Sequence, residues 1–193
     1  MHIRVGIIGD GNVGSALQRG LTKAGHQARA VGNHPAAIRE TARDAAVVII
    51  AVPFGAIDDV VREVGGEVNG KIVIDATNAL NPDYSLAVGF TSNGAEQLQT
   101  KLPTARVVKA FNTVFAQHMD SGTVKGEQLT ILAASDDAEA KSTVIELAKS
   151  IGFDAVDAGP LQNARLLEPF ALQNIALGYR LGLGTEIGFR LVR

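Results

Sequence analysis

The stretch that decides how this chain folds is Val5-Gly6-Ile7-Ile8-Gly9-Asp10-Gly11-Asn12-Val13-Gly14. An apolar run leads into three glycines spaced G-x-G-x-x-G, and the residues after it repeat apolar side chains every three or four positions. That spacing places Val13, Leu17 and Leu21 on one face of a helix. A strand, a tight turn and a helix are the context in which this glycine spacing binds the pyrophosphate of a dinucleotide.

The three glycines of this motif have different physical tasks. Gly9 permits the tight turn out of the strand, Gly11 lets the backbone approach a pyrophosphate, and Gly14 lets the helix pack close to the strand. A pyrophosphate there would meet unpaired N–H groups and the positive end of the helix dipole. We therefore predict cofactor contacts at Gly9, Asp10, Gly11, Asn12, Val13 and Gly14. The alternative is a strand-to-helix turn that binds no ligand.

Composition and charge exclude several classes of function. The 193 residues carry a net charge of −2 with both signs mixed along the chain, which argues against a nucleic-acid partner or an anionic membrane surface. The chain has no cysteine, which excludes disulfides, thiolate catalysis and cysteine-ligated metals, and no His, Asp or Glu pair has metal-ligand spacing.

The longest apolar run, 45–57, contains Pro53 and is too short to span a bilayer, and the N-terminus lacks a signal-peptide pattern. We expect a cytoplasmic protein with no membrane partner and no metal site.

Strand and helix patterns alternate along most of the chain. After the first strand, apolar β-branched runs predict further strands at 26–31, 46–52, 71–76, 106–111, 128–133 and 153–156. Amphipathic segments lie between most of them, which predicts an α/β fold with a mainly parallel, doubly wound sheet. Beyond Ala158, the segment 161–193 is apolar around most of a helix circumference. We predict a nucleotide-binding domain at 1–158 and a helical extension at 159–193 that packs on the sheet and forms a homodimer interface.

The end of the second predicted strand indicates which nicotinamide cofactor is preferred. An NAD enzyme usually carries Asp or Glu there to bind the ribose 2′-OH, and no acidic residue lies between Asp10 and Glu40. Asn33 and His34 can donate hydrogen bonds to a 2′-phosphate, and Arg39 can add a positive charge. These residues favour NADP, with NAD left open. His34 is also compatible with a purely local role in the turn.

Ligands of such sheets bind at the carboxyl ends of the strands. Besides the glycine turn, the predicted strand ends bring together Val52, Pro53, Asn78, Asn112 and Thr113. Acids and bases are scarce there, since we expect Asp75 to make local hydrogen bonds and His118 to lie on the surface. An alcohol dehydrogenase normally needs a proton acceptor, whereas hydride transfer between two redox rings needs mainly stacking, orientation and exclusion of water. We therefore predict hydride transfer through orientation of the cofactors, with no catalytic side chain.

Four stretches of the chain, 6–14, 51–54, 107–114 and 157–168, resemble one family of oxidoreductases. The last of them, Asp157-Ala158-Gly159-Pro160-Leu161-Gln162-Asn163-Ala164-Arg165-Leu166-Leu167-Glu168, is far more specific than the glycine motif. The sequence resembles the NADPH-dependent deazaflavin (coenzyme F420) oxidoreductases, and it is similar to the nucleotide domain of the STEAP metalloreductases.

This resemblance implies a Rossmann-type fold and hydride transfer between NADP(H) and a small-molecule redox partner. That partner would be the deazaflavin F420 or a flavin such as FMN or FAD. The resemblance also implies a nicotinamide site at Val52-Pro53 and Asn112-Thr113, and a pocket for the second ring at Val114, Leu161 and Leu183. The family often has Ser-Arg or Thr-Arg where this chain has Asn33-His34, which implies a weaker contact with the 2′-phosphate.

Two other interpretations share the nucleotide-binding half. An enzyme similar to 6-phosphogluconate dehydrogenase or pyrroline-carboxylate reductase needs a large helical domain, for which the residues after Ala158 are too few. A non-catalytic NAD(P)-binding sensor or regulatory module would keep the glycine turn but would need no pocket for a second ring.

Overall fold

The computed structural model describes residues 2–193 as one alternating series of strands and helices. In chain order these are β1 (Arg4–Ile8), α1 (Asn12–Lys23), β2 (Gln27–Val31), α2 (Pro35–Asp44), β3 (Val47–Ile50), α3 (Ile57–Val64), β4 (Ile72–Asp75), α4 (Gly94–Lys101), β5 (Arg106–Lys109), β6 (Thr123–Val124), β7 (Glu127–Gln128), β8 (Thr130–Ala133), α5 (Ala138–Ile151), β9 (Asp154–Asp157) and α6 (Ala164–Ile175).

The central sheet is parallel and has the strand order β2-β1-β3-β4-β5. A separate parallel pair, β8 and β9, continues it beyond β5. Two backbone hydrogen bonds make that junction, because Lys109 N donates to Ala134 O at 2.9 Å and Ala134 N donates to Lys109 O at 3.0 Å. The predicted mainly parallel, doubly wound α/β sheet is confirmed. The carboxyl ends (exits) of β1, β2 and β3 lie side by side at the same edge of the sheet, because Ile8 pairs with both Val31 and Ile50.

Helices cover both faces of the sheet, and successive strand residues point to opposite faces. Ile7, Ile49 and Ile74 belong to the core cluster that includes the buried faces of α1 and α5. Ile8 and Ile50 belong to a second cluster that includes the buried faces of α2, α3 and α4. A parallel sheet covered in this way requires strands that are apolar on both sides, which is why the β-branched runs predicted them well.

The region between β5 and β8 differs from the sequence-based prediction. A two-residue hairpin, β6 and β7, turns through Lys125 and Gly126, whose φ angles are both positive. The predicted strand at 128–133 therefore begins only at Thr130. His118, expected on the surface, is buried, and its Nε2 lies 3.0 Å from Thr185 O. Strands of two residues are too short to show a periodicity, so the sequence pattern does not reveal this hairpin.

The C-terminal segment is helical only in its first part. A turn of π-helix, Ala176–Arg180, extends α6, and the chain then leaves the helix at Gly182 and Gly184, which both have positive φ. The last residues return to β8, where Thr130 N donates to Phe189 O at 3.1 Å. Within the predicted helical extension at 159–193, the helix ends at Arg180. Across residues 2–193, no helix is both long enough and apolar enough to cross a membrane.

Candidate functional site

The glycine turn joins β1 to α1 and is held by close backbone packing. Gly9 has φ of +111° and donates its N–H to Val31 O at 2.8 Å. A Cβ on Gly9 would lie 2.3 Å from Ala51 O, and a Cβ on Gly14 would lie 1.8 Å from Gly9 O. Both glycines are therefore required by the fold itself, which needs the turn in close contact with β3 and α1.

Gly11 is different, because a Cβ on it would meet no heavy atom within 4 Å. It occupies the N-cap position of α1 with an ordinary φ of −68°, and in the described part of the chain no side chain caps the helix there. The first-turn N–H groups of α1 therefore lack a capping side-chain acceptor. An open space beside such a helix N-terminus is the geometry that a pyrophosphate group requires.

A cleft of about 790 Å³ opens over this turn. It lies between the exits of β1, β2 and β3 and the side of α3. Predicted site residues that line it are Gly9, Asp10, Gly11, Asn33, Val52 and Pro53. The structure therefore brings the predicted pyrophosphate contacts Gly9, Asp10 and Gly11 into one groove with Val52 and Pro53, although their roles remain predictions. The other predicted contacts at strand ends, Asn78, Asn112 and Thr113, are not among the residues that line this cleft. Asn12 and Val13 begin α1, with Asn12 exposed and Val13 half-buried.

The rim of the cleft shows where the predicted 2′-phosphate contacts lie. His34 is the N-cap residue of α2, and Arg39 forms an ion pair with Glu63. Glu63 lines the cleft but Arg39 does not. Arg62, which the sequence reasoning missed, lines the cleft and is 68% exposed in its side chain, with Asp59 as its ion-pair partner at 2.9 Å. Charged residues that recur along a helix usually face solvent. The sequence alone therefore did not indicate that Arg62 lies at a binding site.

Asp10 places a carboxylate at the end of β2. A Cβ on Gly32 would lie 2.9 Å from Asp10 Oδ2, so the carboxylate lies against the backbone at the β2 exit. The absence of an acid between Asp10 and Glu40 therefore does not leave this position free of negative charge. The carboxylate of Asp10 comes from the turn after β1, so sequence order does not reveal that it lies at the end of β2.

Asn78 and Asn112 join the exits of β4 and β5. The Asn78 amide donates to Asn112 O at 3.2 Å, and Asn112 Nδ2 donates to Asn78 Oδ1 at 3.2 Å and to Leu167 O at 3.0 Å. Thr113 is buried, and its carbonyl accepts a hydrogen bond from Asn174 Nδ2 at 3.1 Å. Phe111, which directly precedes Asn112, has a φ of +69°, a conformation that costs free energy in a residue with a Cβ. The chain is thus held in a strained turn that presents these asparagines beside α6.

A buried ion cluster, which the sequence reasoning missed, lies next to this pair. Lys109 Nζ donates to Asp75 Oδ2 at 3.0 Å, to Glu168 Oε1 at 2.9 Å and to Thr77 O at 2.7 Å. Burial disfavours the charged ammonium, but the two carboxylates outweigh this and raise the pKa of Lys109 above its ordinary value. Asp75 also accepts from Thr77 N and Oγ1, so its predicted local hydrogen bonding is present.

The residues implied for a second ring do not form a common pocket. Val114 packs in the core beside α1 and α5, while Leu161 packs in the opposite core beside α4. Leu183 is exposed in the turn after α6. The structure does not bring these three residues together, and their role in binding a second ring remains a prediction. Within 2–193, no group of three or more His, Asp or Glu side chains has the arrangement of a metal site.

Comparison with known proteins finds a family of similar sequence. Residues 4–79, from β1 to the residues after β4, match the family model for NADP oxidoreductase coenzyme F420-dependent. This part of the chain is similar to these NADP-dependent oxidoreductases. The resemblance predicted from the sequence is thereby confirmed.

Full-length relatives of two kinds support this relationship. Rat metalloreductase STEAP3 is 30% identical over 182 residues, which is 88% of this chain but 36% of STEAP3, so the chain spans about a third of that protein. The F420-dependent NADP reductase of Methanocaldococcus jannaschii is 29% identical over 165 residues, covering 77% of this chain and 70% of that enzyme.

A solved structure agrees over the whole chain. It is a protein of Arthrobacter sp. FB24 assigned as an F420-dependent NADP-reductase, with a TM-score of 0.90 and 26% identity. The match covers 99% of this chain and 100% of that one. The agreement therefore includes α6 and the segment after it, which lie outside the family-model match.

Proposed function

We propose that this protein transfers hydride between NADP(H) and a flat redox partner, namely the deazaflavin F420 or a flavin such as FMN or FAD. The observation that supports this most directly is the open space at Gly11, over which the cleft lies. A side chain would fit there without disturbing the protein, so packing within the protein does not explain why the position is glycine. Close approach of a ligand to the backbone does explain it.

The residues of the cleft fit a nicotinamide dinucleotide. N–H groups in the first turn of α1 would bind the pyrophosphate, helped by the positive end of the helix dipole. Val52 and Pro53 provide an apolar wall at the exit of β3. When bound, the cofactor supplies or accepts a hydride at its nicotinamide ring. The protein's part is to bind it, orient it and exclude water.

Acid–base chemistry is poorly supported at this site. Asp75 and Lys109 are fully buried, and the Lys109 ammonium already has three protein acceptors within 3.0 Å. Neither side chain is placed to exchange a proton with a ligand in the cleft. Hydride transfer between two redox rings makes no such demand on the protein, because the rings themselves carry the electronic change.

Selectivity for NADP over NAD would depend on opposing charges at the rim. Asn33 and Arg62 line the cleft and can bind a 2′-phosphate, whereas the Asp10 carboxylate would repel it. We propose that NADP is preferred and that NAD is accepted more weakly. The name of the Methanocaldococcus jannaschii relative, an F420-dependent NADP reductase, points the same way.

A non-catalytic NAD(P) sensor is the second candidate. One observation favours it, namely that Val114 and Leu161 lie in opposite cores rather than in a shared pocket. Such a protein would bind the dinucleotide in the same cleft but would catalyse no hydride transfer.

A direct assay distinguishes the two candidate functions. Purified protein is mixed with NADPH and with F420, FMN or FAD in turn, and loss of the nicotinamide absorbance band is followed. Catalysed oxidation by at least one acceptor is expected, with Gly11→Val as the inactive control. Calorimetric binding of NADPH without turnover by any acceptor would favour the sensor, and absence of binding would reject both.

We also propose that the protein forms a homodimer through its C-terminal segment. Leu166 on α6, together with Tyr179 and Leu181 in and after the π-helical turn, are each about two-thirds exposed. Large apolar side chains exposed on one segment are candidates for a protein–protein interface. Sedimentation equilibrium should give twice the chain mass, and Leu166→Glu should shift the equilibrium toward monomer.

A further inference from the structure

The cluster of Asp75, Lys109 and Glu168 contains two carboxylates and one ammonium group. All three side chains are at most 2% exposed. Such burial keeps water and salt from screening their charges, so the cluster acts on its surroundings through a medium of low dielectric constant.

Both carboxylates are surrounded by donors. Asp75 Oδ1 accepts from Thr77 N at 2.9 Å and from Thr77 Oγ1 at 2.7 Å, while Oδ2 accepts from Lys109. Glu168 accepts from Gly94 N at 3.0 and 3.1 Å, at the first residue of α4, as well as from Lys109. With two carboxylates paired to one ammonium, the cluster has a formal net charge of −1.

Residues that contact this cluster or belong to it are adjacent in the sequence to residues of the asparagine pair or its partners. Lys109 Nζ donates to Thr77 O at 2.7 Å, and Asn78 follows in the chain. Glu168 follows Leu167, whose carbonyl accepts from Asn112 Nδ2 at 3.0 Å. The nearby Glu96 and Arg165 form a neutral pair at 2.8 Å that is partly exposed and so more strongly screened. Unlike the Glu96–Arg165 pair, the buried cluster has charges that do not cancel.

We propose that the Asp75–Lys109–Glu168 cluster holds one negative charge beside the nicotinamide site and so favours the oxidised, positively charged ring over the neutral reduced ring. This inference rests on the proposed function, since it requires the cofactor to bind with its ring near Asn112. In the transfer, the C4–H bond of NADPH breaks, the hydride with both electrons bonds to the acceptor ring, the acceptor takes a proton from water, and NADP⁺ remains. Stabilising the product charge makes the bound NADPH a stronger hydride donor.

The test compares the affinities of the two redox forms. Glu168→Gln neutralises the cluster but retains Oε1, the atom that accepts from both Lys109 and Gly94. Calorimetry should show the Kd of NADP⁺ rising about fivefold, while that of NADPH changes less than about twofold. Glu96→Gln is the matched control, because it removes a screened carboxylate from the same helix pair and should leave both Kd values unchanged.

A purely structural role would raise both Kd values together, and that result in Glu168→Gln would overturn the proposal. Asp75→Asn makes the same charge change and should give the same asymmetry if Glu168→Gln does not fold. Absence of binding of either form would instead reject the proposed function.

Discussion

Gly14 lies so close to Gly9 that a Cβ on Gly14 would come within 1.8 Å of the Gly9 carbonyl oxygen. Gly11, between them, faces open space. The three glycines of one motif are therefore required for two separable reasons. Gly9 and Gly14 are needed to fold the turn, and Gly11 is needed to leave room above it.

Gly11→Val should abolish dinucleotide binding while the protein stays folded. The backbone φ of −68° suits valine, and the side chain would project into free space rather than into protein. Loss of the N–H contacts to a charged pyrophosphate should weaken NADPH binding by at least about 100-fold. The free energy of unfolding should fall by about 1 kcal/mol or less, because valine is a poorer N-cap residue than glycine. Calorimetry and urea unfolding measure the two effects, and unchanged affinity would place the pyrophosphate elsewhere.

Gly14→Ala, in contrast, should mainly destabilise the fold. One methyl group would overlap the Gly9 carbonyl, so either α1 or the turn must move. We expect the free energy of unfolding to fall by about 3 kcal/mol or more. Urea unfolding followed by circular dichroism measures this loss. A stable Gly14→Ala protein would mean that α1 does not pack on the turn as described.

Arg62→Gln should weaken binding of NADPH but not of NADH. Arg62 lines the cleft, and loss of a charged hydrogen bond to the 2′-phosphate should cost about tenfold in Kd. Arg39→Gln is the comparison, because Arg39 is held in an ion pair with Glu63 outside the cleft lining. If Arg39→Gln shows the larger effect on NADPH, then Arg39 contacts the 2′-phosphate, as its position in the sequence predicts.

Asp137→Ala should reduce stability at neutral pH and remove part of its acid dependence. Asp137 caps α5 by accepting from Ala140 N at 2.8 Å, and Arg106 holds its pKa at about 2, below the ordinary 3.8. A carboxyl group with a lowered folded-state pKa stabilises the protein above pH 3.8, and this stabilisation is lost as the pH falls toward 2. The substitution should cost about 1 kcal/mol at pH 7. Urea unfolding should show a much smaller difference at pH 2.5, and an equal difference at both pH values would contradict this account.

The sequence predicted the sheet because each strand is buried on both faces. The runs at β3 and β4 are apolar throughout, and such runs have few alternatives to a parallel sheet. The glycine turn was predictable for a similar reason, since its strand, turn and helix are consecutive in the chain. The predicted strand ends also pointed to Asn78 and Asn112, whose mutual hydrogen bonds the structure shows.

Other features depend on contacts between distant residues. Lys109 stands in the run Val107-Val108-Lys109-Ala110-Phe111, where nothing local indicates a buried ammonium. Its partners Asp75 and Glu168 lie 34 and 59 residues away in the chain. The approach of Asp10 to Gly32 is likewise set by the parallel pairing of β1 and β2. Tertiary structure alone creates these pairs, so no pattern in the sequence could have revealed them.

A crystal structure of the protein with NADP⁺ tests the central claim most directly. We predict the pyrophosphate within hydrogen-bonding distance of the first-turn N–H groups of α1, beside Gly11, with the nicotinamide ring near Asn112. Density for the dinucleotide outside the cleft over the glycine turn, for example in the smaller pocket lined by Arg4 and Arg29 on β1 and β2, would contradict the account.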